Sequence, residues 1–487
     1  MQMESVMHGG EKAAAATSIF RRWRQKLKAF PKELFGKAVE VAEQTRALAK
    51  DDPRRVIHSF KVGLSLTLVS LLYYLHPFYK SFGVSTMWAV VTVVVVFEFS
   101  VGATLGKGVN RGLATLVACG LGIGAHYLAN QSGKICEPLL LGLFVFLQAV
   151  TSTFVRFFPT VKARYDYGLV IFILTFCLIS ISGFRKEEIV DLAHKRFSAI
   201  AIGASICVIV SICVFPVWAG EDLHNLVADN LELLGFFLKG FGAEYFKDEE
   251  DGNSEAKSPS FPAAAAGYTT VLNSKTIEET LANFARWEPG HGRFKFQHPW
   301  KQYLKIGTLT RQCASRVESL NGYLSSQLQM PKEMIRTIRG ACTKMSMESG
   351  EALQELASCM RNMSHPTAAA TKHLTNSKTA AKSLKLLLIN YSPCSFSEDG
   401  GGGGVDLLQV IPAAAVATIL AEIVACVETI GEAVTELALL AQFKVVDGGS
   451  GSGEVVISLE EKTSKVSDSI DVIIASEPSD SRTGQTP

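Results

Sequence analysis

Carboxylates are scarce where this sequence is most apolar, its cysteines are scattered, and the common catalytic signatures are missing. Each absence excludes something. Between Val56 and Trp218 the apolar segments carry acidic groups chiefly at Glu98 and Asp166, so no proton-relay chain of carboxylates runs along them. The ten cysteines form no C-x-x-C pair, which signals neither a zinc site nor a disulfide framework. Several sit in apolar runs, where a free thiol behaves as a small hydrophobe. There is no Walker loop, HExxH, G-x-S-x-G or dinucleotide fingerprint, so neither an enzyme nor a cofactor is indicated. His291 and His298, in WEPGHGRFKFQHPW, fit no metal spacing and read as packing or turn residues. A formal net charge of +2 gives no sign of nucleic-acid binding. Residues 10–25 lack a continuous apolar core, so no cleaved signal peptide is expected.

What is present is apolar sequence in one block. Six segments, at approximately 57–75, 87–105, 110–129, 138–158, 165–183 and 194–218, approach the roughly 20 residues a helix needs to cross hydrocarbon. Only helices can do so here, because an unpaired backbone group facing lipid costs several kcal/mol. The expected fold is an all-α membrane protein with six transmembrane helices per subunit and a C-terminal cytosolic helical domain. Glycines at 102/106, 108/112 and 120/124 give small-xxx-small spacings that let helices approach closely. The expected domains are a basic N-terminal segment 1–55, the membrane domain 56–218, a cytosolic domain 219–446 and a disordered tail 447–487.

Within the first segment, residues 18–48 are basic and amphipathic, suited to an anionic membrane surface or to a neighbouring domain. About a dozen Lys and Arg precede the first span, which places both termini in the cytosol by the positive-inside rule. Residues 247–267 read as a linker and 395–404 as a glycine-rich connector. Residues 332–363 bury a stripe at three-four spacing, and 413–443 repeat apolar positions from Val416 to Leu437. Part of the latter, 410–427, is apolar enough to resemble a seventh span. Glu422, Glu428, Glu432 and Glu436 argue for a packed helix instead.

Cations stand where a membrane helix should have none. A charge near the bilayer centre costs about 2.5–3.5 kcal/mol unless it faces a bundle interior or water. Arg54, His58 and Lys61 share one face of the first span; Lys107 and Arg111 are four apart; Arg156, Lys162 and Arg164 surround Pro159; Lys195 and Arg196 begin the sixth. Rings of Lys and Arg are what an anion pore requires. Snorkelling to headgroups competes with that reading, above all for Arg54, Arg55, Lys162 and Arg164. Glu98 reads as the partner of one of these cations. In the loop RKEEIVD, Glu187, Glu188 and Asp191 offer hard oxygens to a multivalent cation, or form a solvated loop.

The stretches MWAVVTVVVVFEFSVGATLGKGVNRG (87–112), FVRFFPTVKARYDYGLVIFILTF (154–176), FPVWAGEDLH (215–224) and VLNSKTIEETLANFARWEPGHGRFKFQHPWKQYLKIG (271–307) together resemble the plant aluminium-activated malate transporters, a family of anion channels. The resemblance covers roughly residues 51–445. It implies a homodimer in lipid with malate and other anions as permeants, and voltage and ligand regulation. It also implies a pore lined by Lys61, Lys107, Arg111, Arg156, Lys162 and Arg196. Glu187 and Asp191 match acidic outer-loop positions tied to aluminium activation in some members. Plasma-membrane residence is expected, with the vacuolar membrane as alternative. A proton-coupled organic-acid efflux carrier, using Glu98 and Asp166, is the alternative function. The WEP motif, Trp287-Glu288-Pro289, marks the family without a role derivable from sequence.

Overall fold

The structure is a computed structural model that describes residues 37, 39–74, 86–133, 135–182, 189–245, 261–325, 332–390 and 407–445. Most of the basic segment 18–48, Glu187 and Glu188, most of the 247–267 linker, the 395–404 connector and the 447–487 tail lie outside them. Among the described residues the chain is helical, with isolated bridges only at His291–Phe294 and Ser364–Lys444. Six helices come first: α1 (Pro53–Tyr74), α2 (Thr86–Val96), α3 (Val101–Asn130), α4 (Cys136–Val155), α5 (Pro159–Ser182) and α6 (Ile189–Cys213). Seven follow: α7 (Ala219–Tyr245), α8 (Phe261–Leu272), α9 (Lys275–Ala285), α10 (Trp300–Ser325), α11 (Lys332–Asn362), α12 (Ala368–Asn390) and α13 (Leu407–Leu440). The chain divides into two compact units, Met1–Phe99 with Lys107–Val217, and Ser100–Gly106 with Trp218–Pro487.

The first unit is the membrane bundle. Helices α1, α3, α4, α5 and α6 are each long and apolar enough to cross a bilayer. Pro53 and Pro159 open α1 and α5 at the position where a missing N–H costs nothing. Little of their apolar surface is covered from within: on α4, Leu139, Phe146 and Val150 are at least half exposed. Contiguous exposure of that kind needs lipid or another subunit against it. Inside, Val69, Ala89, Val93, Ala199, Cys207 and Val210 join α1, α2 and α6 in one cluster. Ala118, Ala125 and Phe176 join α3 to α5, with Leu141 and Phe144 of α4 against them.

One boundary differs from expectation. The second apolar segment was expected to run unbroken over 87–105, but α2 ends at Val96 and α3 starts at Val101. Ser100 causes the restart: its Oγ accepts the Ala103 N–H at 3.3 Å, an N-cap that satisfies a helix-start donor. α2 is therefore only 11 residues, a rise of about 16 Å, roughly half the hydrocarbon thickness. α3 takes up the remainder and reaches 30 residues.

The second unit is a helical domain with one core. Leu223, Leu231, Leu238, Tyr303, Val317, Ile338, Leu353, Leu356, Leu420, Val427 and Val434 are all fully buried in it. α13 illustrates why composition alone misleads. Its segment Ile411–Leu440 is apolar enough to cross a membrane. Yet its stripe is buried among the other helices, and its carboxylates reach cations on them: Glu422 to Arg316 at 3.0 Å, Glu436 to Lys305 at 2.6 Å, and Glu428 to Lys378. It is a core helix of this domain. α7 and α11 cross closely where both lack side chains, since a Cβ on Gly235 would lie 2.8 Å from the Gly350 carbonyl. Residues 261–267, read as linker, are instead the first turns of α8.

Candidate functional site

Each buried cation of the membrane unit sits on a helix face that packing selects. On α1, Lys61 is followed one turn later by Ser65, whose Oγ donates to the Lys61 carbonyl at 2.9 Å, and then by Val69; all three are buried. On α3 the buried face runs Arg111, Thr115, Ala118. On α6 it runs Arg196, Ala199, Ile200, Cys207, Val210, Ser211. The same three-four spacing that buries the apolar members carries the cations inward.

The six expected pore residues separate into three environments. Lys61, Arg111 and Arg196 are 1%, 2% and 5% exposed, and none has a carboxylate partner among the described residues. Arg111 donates from Nη1 to the Tyr167 hydroxyl at 2.9 Å. The Arg196 guanidinium lies 3.7 Å from the centroid of the Trp88 ring, a cation–π contact with no formal neutralisation. Arg111 and Arg196 are also within electrostatic reach of one another, two like charges in one interior. In the second environment cations are neutralised. Lys107 pairs with Glu98, and Arg156 grips Asp166 through Nε at 2.7 Å and Nη2 at 3.2 Å. In the third, Lys162 is exposed, as are Arg54, Arg55 and Arg164. Of the outer acidic pair, Glu187 lies outside the described residues, and for Asp191 the backbone alone, in α6, is described.

Further polar atoms share the interior. Thr115 and Thr175 Oγ1, Ser180 and Ser211 Oγ, and Nε of both Arg111 and Arg196 are buried without a hydrogen-bond partner among the described residues. Buried polar groups in proteins are nearly always satisfied, so these atoms stand out against the apolar clusters around them.

The glycines behave less uniformly than their spacing suggested. Gly108 meets Val96 and Ala204, whereas Gly112, Gly120 and Gly124 have nothing within 4 Å. Gly102 and Gly106 belong to the second unit, and a Cβ on Gly106 would lie 2.9 Å from the Trp287 ring. The WEP motif thereby gains a structural role. Buried Glu288 accepts the Ala219 and Gly220 N–H groups at 2.6 and 3.0 Å, capping the start of α7. Its carboxyl pKa is raised, because burial outweighs those two hydrogen bonds.

Span-length apolar helices with exposed apolar faces, and a few cations buried among apolar clusters, define a multi-pass membrane protein. The sequence profile described as "Aluminium activated malate transporter" matches residues 46–398. Aluminum-activated malate transporter 2 of Arabidopsis thaliana is 52% identical over 408 residues, 84% of this chain and 79% of the relative. Aluminum-activated malate transporter 1 of the same plant is 49% identical over 411 residues, 84% and 81% of the two chains. Its namesake in Triticum aestivum is 44% identical over 417 residues, 84% and 87%. The chain belongs to the aluminium-activated malate transporter family.

Proposed function

We propose that this protein is a passive channel for malate and other small organic and inorganic anions, and that Lys61, Arg111 and Arg196 line its pathway. One observation carries the reading: three cations are buried in the membrane unit with no carboxylate among the described residues to neutralise them. A buried charge without a partner is strongly destabilising, commonly by about 3–5 kcal/mol. A permeating anion supplies the missing charge, and the unpartnered hydroxyls around it substitute for part of its hydration. The names of the relatives support malate as the permeant. Lys107 and Arg156, already neutralised, set local structure and field rather than hold the ion. Lys162 acts at a mouth of the pathway.

The unit works as a homodimer, which covers part of the exposed apolar surface, in the plasma membrane with both termini cytosolic. Glu187 and Asp191 remain the proposed site for an external aluminium ion. A proton-coupled carrier would need Glu98 and Asp166 free to exchange protons, whereas Lys107 and Arg156 hold both as ion pairs.

Whole-cell recording tests the channel reading. Malate current should reverse at the malate equilibrium potential and ignore an imposed proton gradient at fixed voltage. Flux that follows the proton gradient instead would refute it. The orientation is checked by the sequons: glycan attaches at Asn130 and is absent at Asn362 and Asn390.

A further inference from the structure

We propose that the outer face of α12 is a docking surface for an acidic segment of the same chain, residues 468–477, which lies beyond the described residues. α12 carries Lys372, Lys378, Lys382 and Lys385 and no aspartate or glutamate. Its inner face, with Ala370, Ala380 and Leu384, is buried in the core of the C-terminal unit. The lysines are thereby left outside. Lys378 is neutralised by Glu428 of α13. Lys372, Lys382 and Lys385 are exposed and have no ionic partner among the described residues. Helical spacing sets exposed Thr375, Thr379, Lys382 and Leu386 in one outward row, with Lys385 on its flank. Leu386 and its neighbour Leu387 are 62% and 39% exposed. Leucines left uncovered beside unpaired cations make a patch that is apolar and positive at once. Its complement is a segment both apolar and negative.

The chain itself supplies such a segment. Residues 446–487 hold eight Asp or Glu against three Lys or Arg, the balance of an acidic interaction tail. Within them, DSIDVIIASE at 468–477 sets Ile470, Val472, Ile473 and Ile474 among Asp468, Asp471 and Glu477, with no cation between. The described chain also leaves the domain beside α12. The Lys444 N–H donates to the Met363 carbonyl, and the Lys444 carbonyl accepts from the His365 N–H, both at 3.0 Å. These bonds pin the exit just ahead of Ala368, the first residue of α12. At 1.5 Å per residue Lys382 lies about 21 Å along the helix from there. The stretch between Val445 and Asp468 reaches up to about 75 Å when extended, so the segment can arrive without displacing any helix. A tether of this kind holds it near the face at an effective concentration on the order of mM. Exposed ion pairs that are individually weak then suffice for docking.

Nuclear magnetic resonance of the full-length protein in zwitterionic nanodiscs, labelled with 15N-isoleucine, tests the pairing. A docked segment tumbles with the disc and its amide signals broaden; a free one gives sharp signals. Wild type is compared with Lys382→Glu/Lys385→Glu, with Asp468→Lys/Asp471→Lys, and with the chain carrying all four substitutions. The Ile470, Ile473 and Ile474 signals are expected to be at least about fivefold weaker in wild type than in either double variant, as a mainly docked tether requires. They weaken again when the charges are exchanged on both sides. The replaced lysines are exposed, so the core stays intact, and an unchanged melting temperature verifies this. Sharp signals in wild type, broad ones that ignore Lys382→Glu/Lys385→Glu, or an exchange of charges that fails to restore broadening each overturn the proposal. Two further results reassign the face and overturn it as well. Signals that sharpen when the discs contain anionic lipid give the face to headgroups. Signals that are broad in a mixed dimer of the two double variants give it to a second copy.

Discussion

Both units bury charge, but they treat it differently. In the C-terminal unit each buried carboxylate among the described residues is furnished with partners from its own fold. Glu278, fully buried, accepts from Ser274 Oγ at 2.7 Å and Asn230 Nδ2 at 3.3 Å and pairs with Arg311. Glu288 takes two backbone N–H groups, and half-exposed Arg361 bridges Asp229 and Glu232. In the membrane unit Lys61, Arg111 and Arg196 are buried as deeply with no opposite charge among the described residues; Arg111 has a hydroxyl and Arg196 an aromatic face as company. Since burial of charge is comparably unfavourable in both places, the difference is one of purpose. Charge neutralised internally holds structure together; in the channel proposed above, charge left over is there for a permeating anion.

Reversing the leftover charges should have the largest effect. Arg111→Glu or Arg196→Glu is expected to remove more than about nine-tenths of malate current under voltage clamp, with surface expression retained. Current equal to wild type in the combined variant would erase the distinction between the two units. Next comes Glu278→Ala, which strands Arg311 with 15% of its side chain exposed. Thermal unfolding should register a loss of about 3–5 kcal/mol, most of it restored when Arg311→Leu is added.

Acid acts on the C-terminal unit through His224 and His298, both hydrogen-bonded to the buried Tyr303 hydroxyl, at 2.8 and 3.2 Å. Burial depresses each imidazole to about 4 from an ordinary 6.5. Above 6.5 both states are neutral and stability is full. As pH falls from there toward about 4 the unfolded chain binds protons the folded one refuses, so stability declines. Each histidine adds up to about 1.4 kcal/mol per pH unit to that slope, and His298→Phe should flatten it in a melting-temperature series. The smallest effect is expected at the part-exposed Lys107–Glu98 pair. Glu98→Gln should alter stability by no more than about 1 kcal/mol and leave a proton-independent malate current. Abolished transport with normal folding would favour the carrier mechanism.

Much of this was legible in the residues themselves. The apolar block marked the membrane unit, the spaced carboxylates of α13 separated it from a true span, and Glu98 was identified as a partner for a cation. What escaped depends on contacts between distant positions or on one small side chain. Ser100 ends an apolar run that hydropathy alone continues, because a hydroxyl cap carries no hydrophobic signature. Which cations are neutralised was hidden, since Glu98 and Lys107, and Arg156 and Asp166, meet across a break between helices rather than at helical spacing. The role of Glu288 was invisible because its donors lie 68 and 69 residues away. Gly102 and Gly106 were read as a helix–helix groove and instead admit the WEP residues.

α13 also bears on what keeps the C-terminal unit whole. Its stripe from Val416 to Leu437 belongs to the one core shared with α7, α10 and α11, so a domain lacking it would lose a wall of that core. Burial there, rather than composition, is what keeps so oily a helix in the domain.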